Sequence, residues 1–347
     1  MKVLKNARTL KKTPIFDSID GGVICKVCER RCRIPPNGKG FCGTKVNING
    51  ELYTVVYGDL SAIESRPIEI KPFYHYWPGS SAMTISTWSC NFRCPWCQNW
   101  HLSRKLPEPS LATFMSPEVV IQKAKKAMDQ GICVSFNEPT LLFEYCLDLF
   151  KLAKEEGLYC CFVSNGYMTE EALKMLYFAG LDGLKVDVKG GEATYRNYVG
   201  NADWMIPWRN AKIALRLGIH VEIVYLVVPE VNDSEEEIAR VIEIHLRELG
   251  SEVPIHFTRY FPAYRFTKPP TPIEKLELAR EMAMKAGISF VYIGNVLGHE
   301  GENTYCPDCG KLLIRRFGPR FLKSYLEEDN TCPSCGRKIP IKGKVVA

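Results

Sequence analysis

Between about Met83 and Gly294, short runs of β-branched and aromatic residues alternate with longer stretches whose apolar positions recur at helical spacing. Those two periods predict a succession of βα units. AMTIST predicts the first strand, and SPEVVIQKAKKAMDQG a helix with Ser116 at its N-cap, Pro117 in its first turn and Gly131 beyond its end. ICVSF, CCFVS, GLKVDV, HVEIVYLVV, PIHFT and SFVYIG predict the later strands. Helices are expected from Leu141 to Glu156, from a Thr169 cap, up to about Gly218, from Ser234 and from Thr271. Six to seven such units suit a parallel barrel or partial barrel, and they are also compatible with an open doubly wound sheet. Residues 1–80 lack this rhythm and predict a small, mostly-β lobe, while residues 299–347 are too few to build a core without a cross-link. The expected organisation is therefore 1–80, 81–298 and 299–347.

Both architectures gather chemistry at the carboxyl ends of the strands. The polar residues there are Asn137-Glu138-Pro139-Thr140, Ser164-Asn165-Gly166, Asp187 and Lys189, and His256, Thr258 and Arg259. Any one of them alone is explained as a cap or turn residue, but their succession along one rim predicts a site. A net charge of +6 over 347 residues is no nucleic-acid footprint, and Arg315, Arg316 and Arg320 read as a solvated face. The basic opening MKVLKNARTLKKTP lacks a leader's apolar run and no segment is apolar for the length of a membrane span, so a cytoplasmic location is expected.

Cysteine spacing adds metal chemistry. Of fifteen cysteines, Cys133, Cys146, Cys160 and Cys161 read as core residues, and the other eleven form three groups. In TWSCNFRCPWCQNW, Cys90, Cys94 and Cys97 follow the first strand as C-x3-C-x2-C. Three thiolates suit an iron-sulfur cubane with one iron left open; a zinc site would need a fourth ligand, for which His101 is near in sequence. Cys306, Cys309, Cys332 and Cys335 form C-x2-C-x22-C-x2-C with a glycine after each pair, the pattern of a structural zinc ribbon, although a rubredoxin-like iron fits the same ligands. Cys25, Cys28, Cys32 and Cys42 form C-x2-C-x3-C-x9-C, which suits an auxiliary iron-sulfur cluster or structural zinc.

The C-x3-C-x-aromatic-C pattern after the first strand resembles the signature of the radical S-adenosylmethionine (SAM) superfamily. The resemblance covers the whole chain and is strongest to the pyruvate formate-lyase-activating-enzyme branch, and within that to the AmmeMemoRadiSam-system group. It is carried by CKVCERRCRIPPNGKGFCG, RPIEIKPFYHYWPGS, CNFRCPWCQNW, SFNEPTLLFEY, VSNGYMTEEAL, DVKG and GHEGENTYCPDCGKLLIRRFG. It implies an α/β fold, a partial (β/α)6 barrel with the cysteine-rich lobe before it and a zinc ribbon after it. It further implies a [4Fe-4S] cluster on Cys90, Cys94 and Cys97, SAM as cosubstrate, and an electron donor of the ferredoxin or flavodoxin class. AMMECR1-like and Memo-like proteins are the partners it points to.

Position by position, the resemblance places Trp96 beside the adenine and Asn137, Glu138 and Pro139 in the segment that contacts the methionine amino group. Phe136 and Asn137 stand there where the family has two glycines. Ser164 and Asn165 match an element near the ribose, Asp187 and Lys189 one near the methionine moiety, and His256 a strand-end histidine of the SAM site. Three functions remain open at this level: hydrogen abstraction from an unidentified substrate, activation of a glycyl-radical protein, and a metal-binding RNA-modifying or adaptor role. The residues do not select an oxidoreductase, activase or transferase outcome, and substrate selection is expected at a mouth formed by residues 60–80 and the later loops.

Overall fold

A computed structural model describes residues 8–346; the start of the basic opening segment, residues 1–7, lies outside the described residues. Two compact units make up the chain, Met1–Ser65 with Ala82–Gly183, and Arg66–Ser81 with Leu184–Ala347. This partition reflects packing, whereas the division at residues 80 and 298 reflects composition. No helix among the described residues is long and apolar enough to cross a membrane.

In the first unit, strands β1 (Ser81–Ser86), β2 (Gly131–Val134) and β3 (Tyr159–Ser164) run parallel, with Ala82 and Tyr159 both in register with Gly131. A side chain at Gly131 would meet the Tyr159 ring at 2.0 Å, so this strand start needs a glycine. Helices α1 (Pro117–Lys126), α2 (Phe143–Glu155) and α3 (Glu170–Ala179) alternate with the strands. Thr169 caps α3 by accepting from the Ala172 amide at 3.1 Å. Cys133, Cys146, Cys160 and Cys161 are fully buried core residues, as expected.

Helix α1 stops earlier than its glycine signal implies. The Met128 amide donates to the Lys125 carbonyl and the Asp129 amide to the Ala124 carbonyl, which closes the helix with Met128 at φ 58°. Met128 is 79% exposed, so packing does not repay that backbone conformation. Met128→Gly is expected to stabilise the protein by about 1 kcal/mol, measured by urea unfolding. Equal or lower stability would contradict this account of the helix end.

The amino-terminal lobe belongs to this unit and is built from two small antiparallel sheets. One joins Phe16–Ile19, Gly22–Cys25 and Arg33–Ile34; the other joins Lys11–Lys12, Glu51–Thr54 and Lys45–Ile48. The lobe is pinned to α2 by a buried ion pair in which Lys45 Nζ donates to both Glu144 oxygens, at 2.7 and 2.5 Å. Glu144 also accepts from Thr13 Oγ1 at 2.5 Å, so each buried charge is both paired and hydrogen-bonded.

In the second unit, β4 (Gly183–Val188), β5 (His220–Val227), β6 (Ile255–Arg259) and β7 (Val291–Gly294) succeed one another as neighbours. Ile255 of β6 is in parallel register with both Ile223 and Val291. Helices α4 (Ile206–Arg216), α5 (Glu235–Leu249) and α6 (Ile273–Lys285) follow their strands. In both units each strand lies beside its predecessor, without the reversal of a doubly wound sheet, and the six helices match the expected (β/α)6 winding. The helical stretch before Gly218 is two helices, Glu192–Asn197 and α4, broken where Gly200 and Asn201 take positive φ. A three-stranded sheet of Thr304–Tyr305, Leu312–Phe317 and Arg320–Ser324 carries the last cysteines.

Residues expected at a substrate mouth are core here: Phe73, Tyr74, His75 and Tyr76 are 0–5% exposed. The amides of Tyr74 and His75 donate to the buried Glu222 carboxylate at 2.9 and 2.8 Å. Nor is Arg316 part of a solvated basic face, since it is buried, lies 4.2 Å over the Tyr74 ring and donates to the Tyr74 carbonyl.

Burial pushes His75 down to about 3 and His245 down to about 4. Both are neutral in the fold, and each takes up a proton on unfolding once the pH is below the ordinary histidine value of about 6.5. Glu222 works in a lower window: burial opposes its ionisation, but hydrogen bonds from His220 and His256 hold it well below the carboxylate range, so its contribution persists through pH 5. Stability is therefore expected to fall between pH 6.5 and 4.5 by roughly 1 kcal/mol per pH unit for each of the two histidines. Urea titrations at pH 7 and pH 5 check this, and equal midpoints with equal slopes would refute it.

Candidate cofactor site

Strand β1 ends in the loop that carries Cys90, Cys94 and Cys97. Its entry residue, Ser89, sits at φ 69° and its amide donates to the Leu102 carbonyl at 2.9 Å, which folds the loop back on itself. The Phe92 amide lies 3.4 Å from Cys90 Sγ, and Ser103 Oγ 3.2 Å from Cys97 Sγ. Arg93 and Arg104 brace the middle of the loop by donating to the carbonyls of Cys90 and Phe92, at 2.8 and 2.7 Å. Trp96 is buried beneath it, at 3% exposure.

The loops after β2 and β3 lock onto this one. Asn137 Nδ2 donates to the Ser89 carbonyl at 2.8 Å, and Asn99 Nδ2 donates to the Phe136 carbonyl at 2.7 Å. Phe136 holds φ 66°, so the left-handed turn is present even with a side chain where the family resemblance implies glycine. That conformation costs a non-glycine residue about 1–2 kcal/mol and persists because the flanking hydrogen bonds fix it.

Glu138 is the hub, at 2% exposure. Its Oε1 accepts from the Thr140 amide (3.1 Å), Thr140 Oγ1 (2.5 Å) and Ser164 Oγ (2.8 Å), and its Oε2 accepts from the Asn165 amide (2.9 Å). Pro139 then opens the single turn that leads into α2. Burial raises the Glu138 carboxyl, against the pull of those donors. Asn165 Nδ2 completes the circuit, 2.7 Å from Asn91 Oδ1 and 4.0 Å from Cys90 Sγ. Burial and then the nearby Glu138 push the Cys90 thiol up; iron bound there would reverse this, because metal ligation deprotonates a thiol outright.

The remaining rim residues belong to the second unit. Asp187, next to last in β4, lies between two cations, with Lys185 Nζ at 2.9 Å and Lys189 Nζ at 3.9 Å. Burial works against its ionisation, but Lys185 and then Lys189 hold the carboxyl below its usual range. Sequence reasoning missed Lys185, although strand period two places residues 185, 187 and 189 on one face. His256 is not a strand-end residue: it is second in β6, in register with Val224 and Tyr292, and its Nε2 lies 2.7 Å from Glu222 Oε2. The positions at the end of that strand are Thr258 and Arg259. Glu222 gave no signal in the sequence beyond alternation within β5.

Cys306 and Cys335 lie 3.5 Å apart, and Cys309 and Cys332 lie 3.6 Å apart. All four sulfurs are within 4.8 Å of one another. Two like knuckles hold them: Cys306 and Cys332 donate their amides to Lys311 and Arg337, and accept from the amides of Gly310 and Gly336. Both glycines are left-handed, at φ 71° and 75°, the conformation each tight turn requires.

The comparisons agree with this geometry. The radical SAM superfamily profile matches residues 84–242. A Methanocaldococcus jannaschii protein described as uncharacterized is 40% identical over 336 residues, 96% of this chain and 99% of its own length. The pyruvate formate-lyase-activating enzyme of Clostridium pasteurianum is 27% identical over 45% of this chain and 65% of that protein. A putative glycyl-radical enzyme activating enzyme of M. jannaschii is 25% identical over 62% of this chain and 80% of that protein. The chain belongs to the radical SAM superfamily. Within it, these relatives place the chain on the branch of the pyruvate formate-lyase-activating enzymes.

Proposed function

We propose that Cys90, Cys94 and Cys97 hold a [4Fe-4S] cluster beside a SAM site, and that the chain acts on a substrate that yields a hydrogen atom. The observation that carries this is the joining of three successive strand-end loops around Glu138 and Asn165, directly against Cys90. The donor set fits the cluster. Among the described residues the ligating groups gathered within 4.8 Å are the four carboxyl-terminal cysteines, so neither the triplet nor His101 encloses a single ion. Three thiols spread more widely on one loop suit separate corners of a cubane.

A reduced cluster held by Cys90, Cys94 and Cys97 would supply the one electron that cleaves SAM to methionine and a 5'-deoxyadenosyl radical able to take a hydrogen from the substrate. The chain's own residues bind and position. Oε1 of Glu138 accepts three hydrogen bonds and Oε2 one, which leaves Oε2 capacity for the methionine ammonium. Trp96 supplies an aromatic face for adenine, Ser164 and Asn165 the ribose contacts, and Asn137 and Pro139 fix the approach of the Glu138 backbone. Cys306, Cys309, Cys332 and Cys335 would hold one tetrahedral ion, since four thiolates ~2.3 Å from such an ion lie ~3.8 Å apart, and we assign it as zinc from the paired-knuckle pattern. The electron comes from a donor of the ferredoxin or flavodoxin class.

Anaerobically reconstituted protein with SAM and dithionite is expected to form 5'-deoxyadenosine, and failure to form it with a full cluster would overturn the proposal. Glu138→Gln keeps the shape of the side chain and removes its charge, so SAM affinity is expected to fall about 10- to 100-fold, the equivalent of one lost charge-assisted hydrogen bond. Equilibrium dialysis of labelled SAM checks this, and unchanged binding would remove Glu138 from the site. Glycyl-radical activation is the second reading, favoured by the named activity of the relatives; its test is an electron paramagnetic resonance (EPR) signal of a glycyl radical on a candidate partner.

A further inference from the structure

The amino-terminal cysteines face one another without closing on a single ion. Cys25, Cys28, Cys32 and Cys42 all line one pocket. Yet, among the described residues, no three of them belong to a group whose ligating atoms lie within 4.8 Å of one another, unlike the carboxyl-terminal four. Four thiolates around one zinc lie ~3.8 Å apart, whereas thiolates on the separate irons of a cubane are held further apart. In lacking that close grouping this lobe is like the Cys90 loop and unlike the zinc-type knuckles.

A second observation concerns what else lines the pocket. Asn91, fully buried, is part of its wall. Its Oδ1 accepts from Asn165, but its Nδ2 is buried with no hydrogen-bond partner. Leaving a buried amide donor unpaired costs about 1–3 kcal/mol, and the sulfur of a cluster is an acceptor that would pair it. The Phe41 amide already donates to Cys32 Sγ at 3.4 Å, so the wall presents donors to sulfur. Asn91 is also the residue next to Cys90, and its Oδ1 lies 3.8 Å from Cys90 Sγ.

We propose that Cys25, Cys28, Cys32 and Cys42 bind a second [4Fe-4S] cluster, fully ligated by thiolates, with Asn91 Nδ2 donating to one of its sulfurs. Four thiolates leave no iron open, so this cluster takes no substrate. Its lobe meets the Cys90 loop through Asn91 and through two further hydrogen bonds, Arg30 Nε to the Asn91 carbonyl and Arg93 Nη2 to the Phe41 carbonyl. The assignment does not depend on SAM cleavage and stands or falls on the metal alone.

The test uses the full chain, reconstituted anaerobically with iron and sulfide. Replacing Cys90, Cys94 and Cys97 together by Ser is expected to leave about four irons and four sulfides per chain, with an EPR signal after reduction. Adding Cys28→Ser and Cys32→Ser is expected to remove them. Should the triple variant fail to fold, the pair Cys28→Ser and Cys32→Ser in the otherwise native chain is expected to halve the iron content. Asn91→Leu is expected to keep this cluster and lower its midpoint potential. A second zinc per chain, or iron without sulfide, would overturn the cluster, and an unchanged potential in Asn91→Leu would overturn the hydrogen bond.

Discussion

Cys94→Ala is expected to reduce 5'-deoxyadenosine formation by about 10³-fold or more, equivalent to ~4 kcal/mol of lost transition-state stabilisation. Cys94 is the most buried residue of the three cysteines in the loop, at 8% exposure, so water cannot readily replace it as a ligand. The two thiolates left cannot hold a cubane whose fourth iron is already without a protein ligand. The loop itself should survive, because Ser89, Asn99, Arg93 and Arg104 brace it through backbone groups that the substitution does not touch. The measurement is product formation by chromatography beside iron content and circular dichroism. Full activity with a native spectrum would show that the chemistry lies elsewhere.

Cys306→Ser is expected to have the largest effect on stability. Cys306 and Cys332 are each 2% exposed and pack in one apolar cluster with Tyr74, Phe290, Tyr292, Leu313 and Ile339. These two cysteines thus belong to a core that reaches back to β7. Apparent zinc binding energies in small modules are about 10–16 kcal/mol, so losing one of four thiolates should release the ion and destabilise the second unit by several kcal/mol. The exposed Cys309 is the informative contrast: Cys309→Ser should also release zinc but leave less of the core without partners. Zinc release to a chromogenic chelator and thermal unfolding check both variants. A Cys306→Ser protein that keeps its zinc and its melting temperature would refute the structural role.

Much of the barrel was legible along the chain because each βα unit is a local pattern. Strands AMTIST, CCFVS and GLKVDV fall where the apolar runs are, and Thr169 and Ser234 cap helices as their spacing implies. The end of α1 was not legible, because the left-handed closure fell on Met128 while Gly131 was required for a close approach to Tyr159. RPIEIKPFYHYWPGS gave no sign that it is core, because its aromatic residues are buried by strands and by the cysteine module far along the sequence. The same holds for Arg316, charged in sequence yet stacked on Tyr74.

The cofactor site divides in the same way. Sequence alone determined the cysteine triplet, the knuckle pairs and the polar residues following β2 and β3, since metal ligation and turn chemistry depend on residue type at short spacing. Tertiary structure alone decided that Glu138 is the hub, that Lys185 and Lys189 flank Asp187, and that His256 answers to Glu222. It also decided that two sets of four cysteines with similar motifs differ in their sulfur spacing. These are facts of distance between residues remote in sequence, and they are fixed only when the strands are laid side by side.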